Sequence, residues 1–223
     1  MRLSDGRTLG YAEYGCETGY PLVFMHGYPQ CHLGASTLDH IFRQHRIRVI
    51  APERPGFGLS TGQSDRHIMD WPADVQALAH HLSLSRFAII GGSGGGPYAL
   101  ACARMLPQDI MSAVDRDQHG ESVEERRAQL LRILFEPFTQ GTDPAAYEAK
   151  LLSQDWGIEF RDITYNNLHV WHEGTDWNSP LPMTEYYVKL FSNKPSFKVF
   201  EGDTHFTIHR HLDDILSERM IVA

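Results

Sequence analysis

A single serine lies among five glycines between Gly91 and Gly96, directly after the apolar run 87–90. A glycine-rich turn after a strand either binds a phosphate group or exposes a nucleophilic hydroxyl. A dinucleotide-binding fingerprint would need glycine where Pro97 stands, and no lysine lies nearby to complete a phosphate-binding loop. The pattern Gly-x-Ser-x-Gly, centred on Ser93, does fit. It predicts a strained strand-to-helix turn that presents the serine oxygen, with an ordinary glycine-rich turn as the alternative.

A nucleophilic serine needs a base and an acid, and the later part of the chain contains residues of both kinds. In this pattern the acid and then the histidine follow the serine, each just after a later strand. Asp176 follows the apolar segment 168–172, and His205 follows the segment 197–200. Both residues therefore stand in the expected order and place.

The elements that would position these residues alternate between strands and helices. Asp5-Gly6 predicts a tight turn whose return strand contains Leu9, Tyr11 and Glu13. Further strands are predicted from short apolar runs, and helices from apolar stripes at helical spacing. The predicted strands are 21–27, 47–52, 86–91, 168–172 and 197–202, and the predicted helices are 70–84, 97–105, 182–193 and from about 206 onward. This alternation predicts an α/β fold with a mostly parallel sheet.

The middle of the chain has a different character. Eight of the thirteen residues from Asp115 to Arg127 are charged. Two helices are predicted in this region. One is indicated by the capping-box pair Ser122 and Glu125, and the other by Asp143-Pro144. We therefore divide the chain into a core of residues 1–114 and 168–223 and a helical lid insertion of residues 115–167.

Composition narrows the classes of partner. The chain has 223 residues and a net charge of −8, which disfavours nucleic acid and anionic membranes as partners. No apolar run approaches the roughly 20 residues that a membrane-spanning helix requires. The three cysteines are scattered, and no signal peptide is recognisable, so a reducing, cytoplasmic location is expected. The sequence does not indicate an oligomeric state.

Taken together, several segments resemble the α/β-hydrolase superfamily. They are the serine turn, "HGYP" (His26–Pro29), "ERPGFGLS" (Glu53–Ser60), "VWHEGTD" (Val170–Asp176) and "EGDTHF" (Glu201–Phe206). The stretches "GGSGGGPYALACA" and "DWGIEFRDI" are similar to single-domain hydrolases of fungi and bacteria. The resemblance implies an α/β-hydrolase fold with a reduced helical lid.

The resemblance also implies roles for individual residues. Ser93 is the expected nucleophile, His205 the general base and Asp176 the acid that orients the imidazole. The backbone N–H groups of Tyr28 and Gly94 are the expected oxyanion donors. Glu173 and Asp203 are weaker candidates for the acid. Structural roles are expected for His26, Arg54 and Gly56. Trp71 and Trp177 could line a pocket or belong to the core. The spacing of His209 and His211 could suggest metal binding, but no cluster of carboxylates or cysteines supports it.

Two departures from the family pattern affect the functional prediction. Glu173 occupies the position at which relatives carry glycine, with Gly174 following it, and the only strand candidate after the serine helix is the short segment 109–114. A shortened strand would leave its neighbours with unsatisfied backbone groups or force them closer together. The expected function is hydrolysis of a small-molecule carboxylic ester or thioester through an acyl-enzyme, without a metal or organic cofactor. The alternative is a non-catalytic binding protein, or a truncated inactive homologue, with the same fold.

Overall fold

The computed structural model describes residues 1–106, 110–115 and 135–219, and its main sheet has five strands. The strands are β1 (Tyr11–Gly15), β2 (Tyr20–Met25), β3 (Ile47–Pro52), β4 (Phe87–Gly91) and β5 (Ile110–Asp115). Their order across the sheet is β1-β3-β2-β4-β5. β1 runs antiparallel to β3, whereas β3, β2, β4 and β5 are parallel to one another. The predicted α/β class and mostly parallel sheet are therefore confirmed.

The predicted N-terminal hairpin is confirmed only at its turn. Gly6 has a φ of 88°, and an isolated antiparallel bridge joins Arg2 to Thr8. The residues from Tyr11 onward pair instead with β3, in the register Tyr11 to Pro52. Pairing with a buried sheet stabilises this strand more than pairing within an isolated two-stranded hairpin, because such a hairpin is only marginally stable.

A second, two-stranded parallel sheet is formed by β6 (His169–Glu173) and β7 (Ser196–Phe200). β5 is a full six-residue strand, so the strand candidate in the segment 109–114 is real. β6 lies beside β5, but in the described ranges no backbone ladder joins these two strands. In the described residues the parallel sheet is therefore interrupted between β5 and β6.

Helices cover both faces of the main sheet. They are α1 (Leu33–Ser36), α2 (Asp39–Gln44), α3 (Trp71–His81), α4 (Gly96–Met105), α5 (Asp143–Leu152), α6 (Leu181–Leu190) and α7 (Leu212–Arg219). Along β2, Val23 and Met25 belong to the core under α3 and α4, whereas Leu22 and Phe24 belong to the core under α2 and α7. Each fully buried side chain of this kind contributes about 1.5–3 kcal/mol to folding. The central strands are thus buried on both faces, as their uninterrupted apolar runs predict.

Residues 135–167, the described part of the predicted insertion, contribute side chains to the core on the α3–α4 face. α5 carries Leu151 into the same core as Val23, and Ile163 and Tyr165 follow. The helix begins at Asp143, with Thr142 in the cap position, one residue earlier than the proline spacing predicts. The helix predicted from Ser122 and Glu125 lies outside the described residues. Among the helices that the structure describes, none has the length and apolar character required to cross a membrane.

Candidate active site

Ser93 lies on a sharp turn between β4 and α4. Its φ is +50°, a left-handed conformation that is rare for a residue with a side chain and that marks a strained position. A Cβ on Gly91 would come within 2.5 Å of the Gly95 carbonyl oxygen, and one on Gly95 would overlap the carbonyl oxygen of Met25. The two flanking glycines therefore allow strand, turn and helix to approach closely enough to expose the serine.

The loop after β2 brings Tyr28 next to the serine turn. A Cβ on Gly94 would lie 2.8 Å from the Tyr28 Cβ and 3.3 Å from the Tyr28 backbone nitrogen. The buried guanidinium of Arg54 holds this loop, donating hydrogen bonds to the carbonyl oxygens of His26 and, at 2.9 Å, of Gly27. The two predicted oxyanion donors, Tyr28 and Gly94, thus lie on segments that contact each other. Hydrogen bonds from Arg54 hold the segment that carries Tyr28.

Asp176 and His205 are joined by a hydrogen bond. His205 Nδ1 lies 2.8 Å from Asp176 Oδ2, and the Asp176 side chain is only 2% exposed. The other carboxylate oxygen of Asp176 accepts the backbone N–H groups of Asn178 at 2.7 Å and Ser179 at 3.0 Å. These bonds fix the carboxylate, which in turn orients the imidazole.

The loops that carry this pair are tied together by backbone hydrogen bonds. Gly174 donates to the Phe200 carbonyl at 2.9 Å, and Thr175 donates to the Asp203 carbonyl at 3.0 Å. Glu173 is the last residue of β6, and a Cβ on Gly174 would lie 3.2 Å from the Glu201 Cα. The glycine required by this close approach is therefore present one residue later than in the family pattern.

One cavity brings four of the five predicted site residues together. Ser93, Gly94, Asp176 and His205 all line a space of ≈ 250 Å³ that is open to solvent. Leu152 of α5 and Met183 of α6 line it as well. The arrangement places a hydroxyl, a carboxylate-bound imidazole and the backbone of Gly94 around a single volume, whereas Tyr28 is not among the lining residues.

A family model described as the alpha/beta hydrolase fold matches residues 20–206, which includes every residue of this cavity. The chain belongs to the α/β-hydrolase family. This confirms the resemblance inferred from the sequence motifs.

The α/β hydrolase is also similar to characterised relatives over part of its length. It is 41% identical over 116 residues to a non-heme chloroperoxidase of Streptomyces lividans, a match covering 50% of this chain and 41% of the relative. It is 32% identical over 109 residues to a proline iminopeptidase of Xanthomonas citri, covering 46% and 34%. The chain thus spans less than half the length of these relatives.

Solved structures resemble the α/β hydrolase over almost its whole length. A hydrolase from Pseudomonas aeruginosa PA01 superimposes with a TM-score of 0.78 at 15% identity, covering 100% of this chain and 97% of that one. A thermophilic esterase from Thermogutta terrifontis gives a TM-score of 0.71 at 18% identity, covering 98% and 95%. At such identities the likeness establishes the fold.

In this α/β hydrolase a buried charge cluster connects the core to α5. Glu148, which is 0% exposed, forms ion pairs with Arg54 at 2.7 Å and with Arg66, and it accepts the Tyr98 hydroxyl at 2.9 Å. Burial acts to raise the pKa of Glu148, but the two guanidinium groups outweigh it and hold that pKa below its usual range. Glu148 is therefore a buried carboxylate held in its charged form.

His26 is a structural residue of the loop that carries Tyr28. Its Nδ1–H donates to the Gly27 carbonyl at 2.9 Å, and its Nε2 accepts the Arg54 backbone N–H at 3.3 Å. Complete burial, together with the Arg54 charge, holds the pKa of His26 well below its usual range. The ring is therefore neutral, in agreement with the structural role inferred from the sequence.

Within the part of the chain that the structure describes, two groups of side chains each bring three metal-ligating atoms within 4.8 Å of one another, namely Cys31, His32 and Glu53, and His172, Glu173 and Asp176. In the first group His32 is hydrogen-bonded to Glu53 at 2.5 Å, and burial raises the pKa of the Cys31 thiol to about 12. In the second, Asp176 already binds His205. A hydrogen bond and a protonated thiol thus engage donor atoms of the first group, and in the second group Asp176 is engaged by His205. His211 pairs with Asp203 at 2.7 Å.

Several residues of the site have no distinguishing signal in the sequence. Trp71 is buried in the core and Trp177 is 90% exposed, whereas Trp156 and Trp171 line the cavity. His172 also lines it, and among the described residues its Nε2 has no hydrogen-bond partner. Glu148 was missed as well, because nothing local in the sequence distinguishes a buried carboxylate on α5 from an exposed one.

Proposed function

We propose that this α/β hydrolase cleaves a small-molecule carboxylic ester or thioester through an acyl-enzyme. The observation that carries the proposal is the 2.8 Å hydrogen bond between Asp176 and His205 in a cavity that Ser93 also lines. A serine hydroxyl is a weak nucleophile until a base takes its proton, and a buried carboxylate gives the base its orientation. The strained φ of Ser93 supports the same role.

In the first half of the reaction, Ser93 Oγ attacks the substrate carbonyl carbon and a C–O bond forms. His205 Nε2 takes the serine proton, and the imidazolium is stabilised by Asp176. The carbonyl oxygen becomes an oxyanion facing the backbone N–H groups of Gly94 and Tyr28. When the tetrahedral intermediate collapses, the bond to the alcohol or thiol breaks, and His205 returns its proton to that leaving group.

In the second half, water replaces the leaving group. His205 takes a proton from the water as its oxygen attacks the acyl carbon. The ester bond to Ser93 then breaks, the serine regains its proton and the carboxylic acid leaves. Every step uses side chains and backbone groups of this chain, and none uses a metal or an organic cofactor.

The names of similar proteins support this reaction class. Two of the structural neighbours are called esterases, from Thermogutta terrifontis and Exiguobacterium antarcticum. The curated relatives carry other names, chloroperoxidase and proline iminopeptidase. We select an ester or thioester rather than an amide because resonance gives the amide C–N bond partial double-bond character and makes it harder to cleave.

We also propose that the protein works in a reducing compartment such as the cytoplasm. Among the described residues Cys31 and Cys102 are buried free thiols, and Cys16 is a partly exposed one. Free cysteines are typical of proteins that are kept reduced.

The test is labelling of the full chain by a fluorophosphonate, measured by intact mass, with a thermal melt of each variant. The phosphorus forms a bond to Ser93 Oγ and fluoride leaves, so one adduct is expected in the wild type and none in Ser93→Ala. Asp176→Asn should slow labelling by roughly 10⁴-fold, as loss of the orienting carboxylate does in serine hydrolases. The matched control Asp203→Asn changes a carboxylate that binds His211 and should label at nearly the wild-type rate.

A cooperative melt without labelling would favour the alternative, a binding protein with a hydrolase-like fold. Equal slowing in Asp176→Asn and Asp203→Asn would contradict the assignment of Asp176. Labelling that persists in Ser93→Ala would remove the serine mechanism.

A further inference from the structure

A second cavity overlaps the first, and the two share the lining residues Ser93, Pro97, Trp156, Ser179, Thr184 and Tyr187. The second cavity has a volume of ≈ 120 Å³. One wall is the face of α4 that carries Gly96, Ala99 and Leu100, and the facing wall includes Leu168 at the start of β6. The cavity thus extends from the serine along α4, beside the interruption between β5 and β6.

α6 provides a regular face of this second cavity. The lining residues Thr184, Tyr187 and Val188 follow the spacing i, i+3 and i+4, which places them on one side of the helix, and Phe191 lies directly after its last residue. The exposed Lys189 lies between Val188 and Leu190, outside that face. A stripe that would ordinarily pack into a core here borders an open volume.

Aromatic rings make this wall rigid. The Trp156 and Tyr187 ring centres are 5.2 Å apart, as are those of Phe160 and Tyr187 and those of Phe160 and Phe191. None of the described residues lining the second cavity carries a carboxylate, an ammonium or a guanidinium group. The first cavity, in contrast, contains Glu173, Asp176 and His205.

We propose that the second cavity, whose described lining carries no carboxylate, binds the acyl chain of the substrate, and that the first cavity, which contains Glu173 and Asp176, binds its alcohol. This inference rests on the proposed function. In the acylation step His205 must return its proton to the leaving oxygen, so the alcohol lies on the His205 side of Ser93. The acyl group must then extend from Ser93 in the other direction, into the cavity that His205 does not line.

The chemistry of each cavity determines the substrate class. Each methylene of an acyl chain that moves from water to the apolar surface of the second cavity makes the free energy of binding more favourable. The first cavity offers Glu173, His172 and Asn178 to hydroxyl or amine groups on the alcohol. The substrate class is therefore an ester of a medium-length apolar carboxylic acid with a small polar alcohol.

The experiment compares p-nitrophenyl acetate with p-nitrophenyl octanoate, which share one alcohol and differ only in the acyl chain. For the full wild-type chain the octanoate should have a kcat/KM about tenfold or more above that of the acetate. Val188→Trp fills the cavity from α6 and should lower the octanoate-to-acetate ratio of kcat/KM about tenfold. Lys189→Trp, the matched control, adds the same side chain outside the cavity and should keep the wild-type ratio.

Leu100→Trp fills the cavity from the opposite wall and replaces Val188→Trp if the latter has lost its cooperative melt. A wild-type preference for the acetate, or an unchanged ratio in both cavity-filling variants, would overturn the acyl-chain assignment while leaving the serine mechanism intact. Loss of the proposed function has a different signature, because neither ester would be hydrolysed and the fluorophosphonate would not label Ser93.

Discussion

The guanidinium of Arg54 and the carboxylate of Glu148 form a buried ion pair of 2.7 Å that joins the loop after β3 to α5. Both side chains are at most 1% exposed. Arg54 also holds the carbonyl oxygens of His26 and Gly27. α5, which carries Leu152 into the candidate active site, is thus connected by one side-chain pair to the loop that carries Tyr28.

Glu148→Gln should destabilise the protein strongly. The amide keeps the shape but leaves the two guanidinium groups of Arg54 and Arg66 without their counter-charge in a buried site. Removing one partner of a buried ion pair costs about 3–5 kcal/mol, even where the intact pair adds little net stability. Urea unfolding measures the loss.

The control is Glu159→Gln, which changes a carboxylate that is 65% exposed and lies 3.6 Å from Arg161. An exposed pair of this kind contributes about 0–1 kcal/mol, so this variant should unfold close to the wild type. If Glu148→Gln and Glu159→Gln unfold alike, the buried cluster does not stabilise the fold.

His26 should make the protein less stable in mild acid. Its pKa is held well below the usual value in the folded state, so the unfolded chain takes up a proton first as the pH falls through about 6.5. The stability that neutral His26 contributes is therefore complete above pH about 6.5 and is lost below it, by up to about 1.4 kcal/mol per pH unit.

Replacing His26 tests the predicted direction of this pH dependence of stability. His26→Gln removes the titrating group, so its stability deficit against the wild type should shrink by up to about 2 kcal/mol between pH 6.5 and 5. Urea unfolding at several pH values measures that difference. His40→Gln, at an exposed histidine, should leave the pH dependence of the wild type unchanged. A His26→Gln deficit that is constant with pH would contradict a buried neutral His26.

Gly95→Ala should damage both the fold and the serine turn. The new Cβ would overlap the carbonyl oxygen of Met25 and lie 2.9 Å from that of His26, and backbone atoms in a packed strand cannot move aside cheaply. Overpacking of this kind costs about 1–3 kcal/mol. We expect a lower melting temperature and slower fluorophosphonate labelling.

Gly62→Ala is the matched control for this substitution. A Cβ at Gly62 would meet no heavy atom within 4 Å, and its φ lies outside the left-handed region. Its stability should stay within about 0.5 kcal/mol of the wild type. A Gly95→Ala protein that melts and labels like Gly62→Ala would show that the turn does not need the close approach.

The sequence by itself determined the features that depend on neighbouring residues. The apolar runs predicted β2, β3 and β4, because a strand buried on both faces is apolar throughout its length. The glycines around Ser93 predicted the strained turn, because only glycine allows strand and helix to approach so closely there. The family was recognised from these same local motifs, and the match over residues 20–206 confirms it.

Features that depend on distant segments were decided only by the tertiary structure. β1 pairs with β3 rather than within an N-terminal hairpin. The tryptophans that line the cavity are Trp156 and Trp171, and not Trp71 and Trp177, the two candidates from the sequence. The ion pair between Glu148 and Arg54 and the cavity beside α6 have no local signature. Whether a charge is buried or an apolar stripe faces a void depends on which segments meet across the fold, and residue type and spacing along one segment do not contain that information.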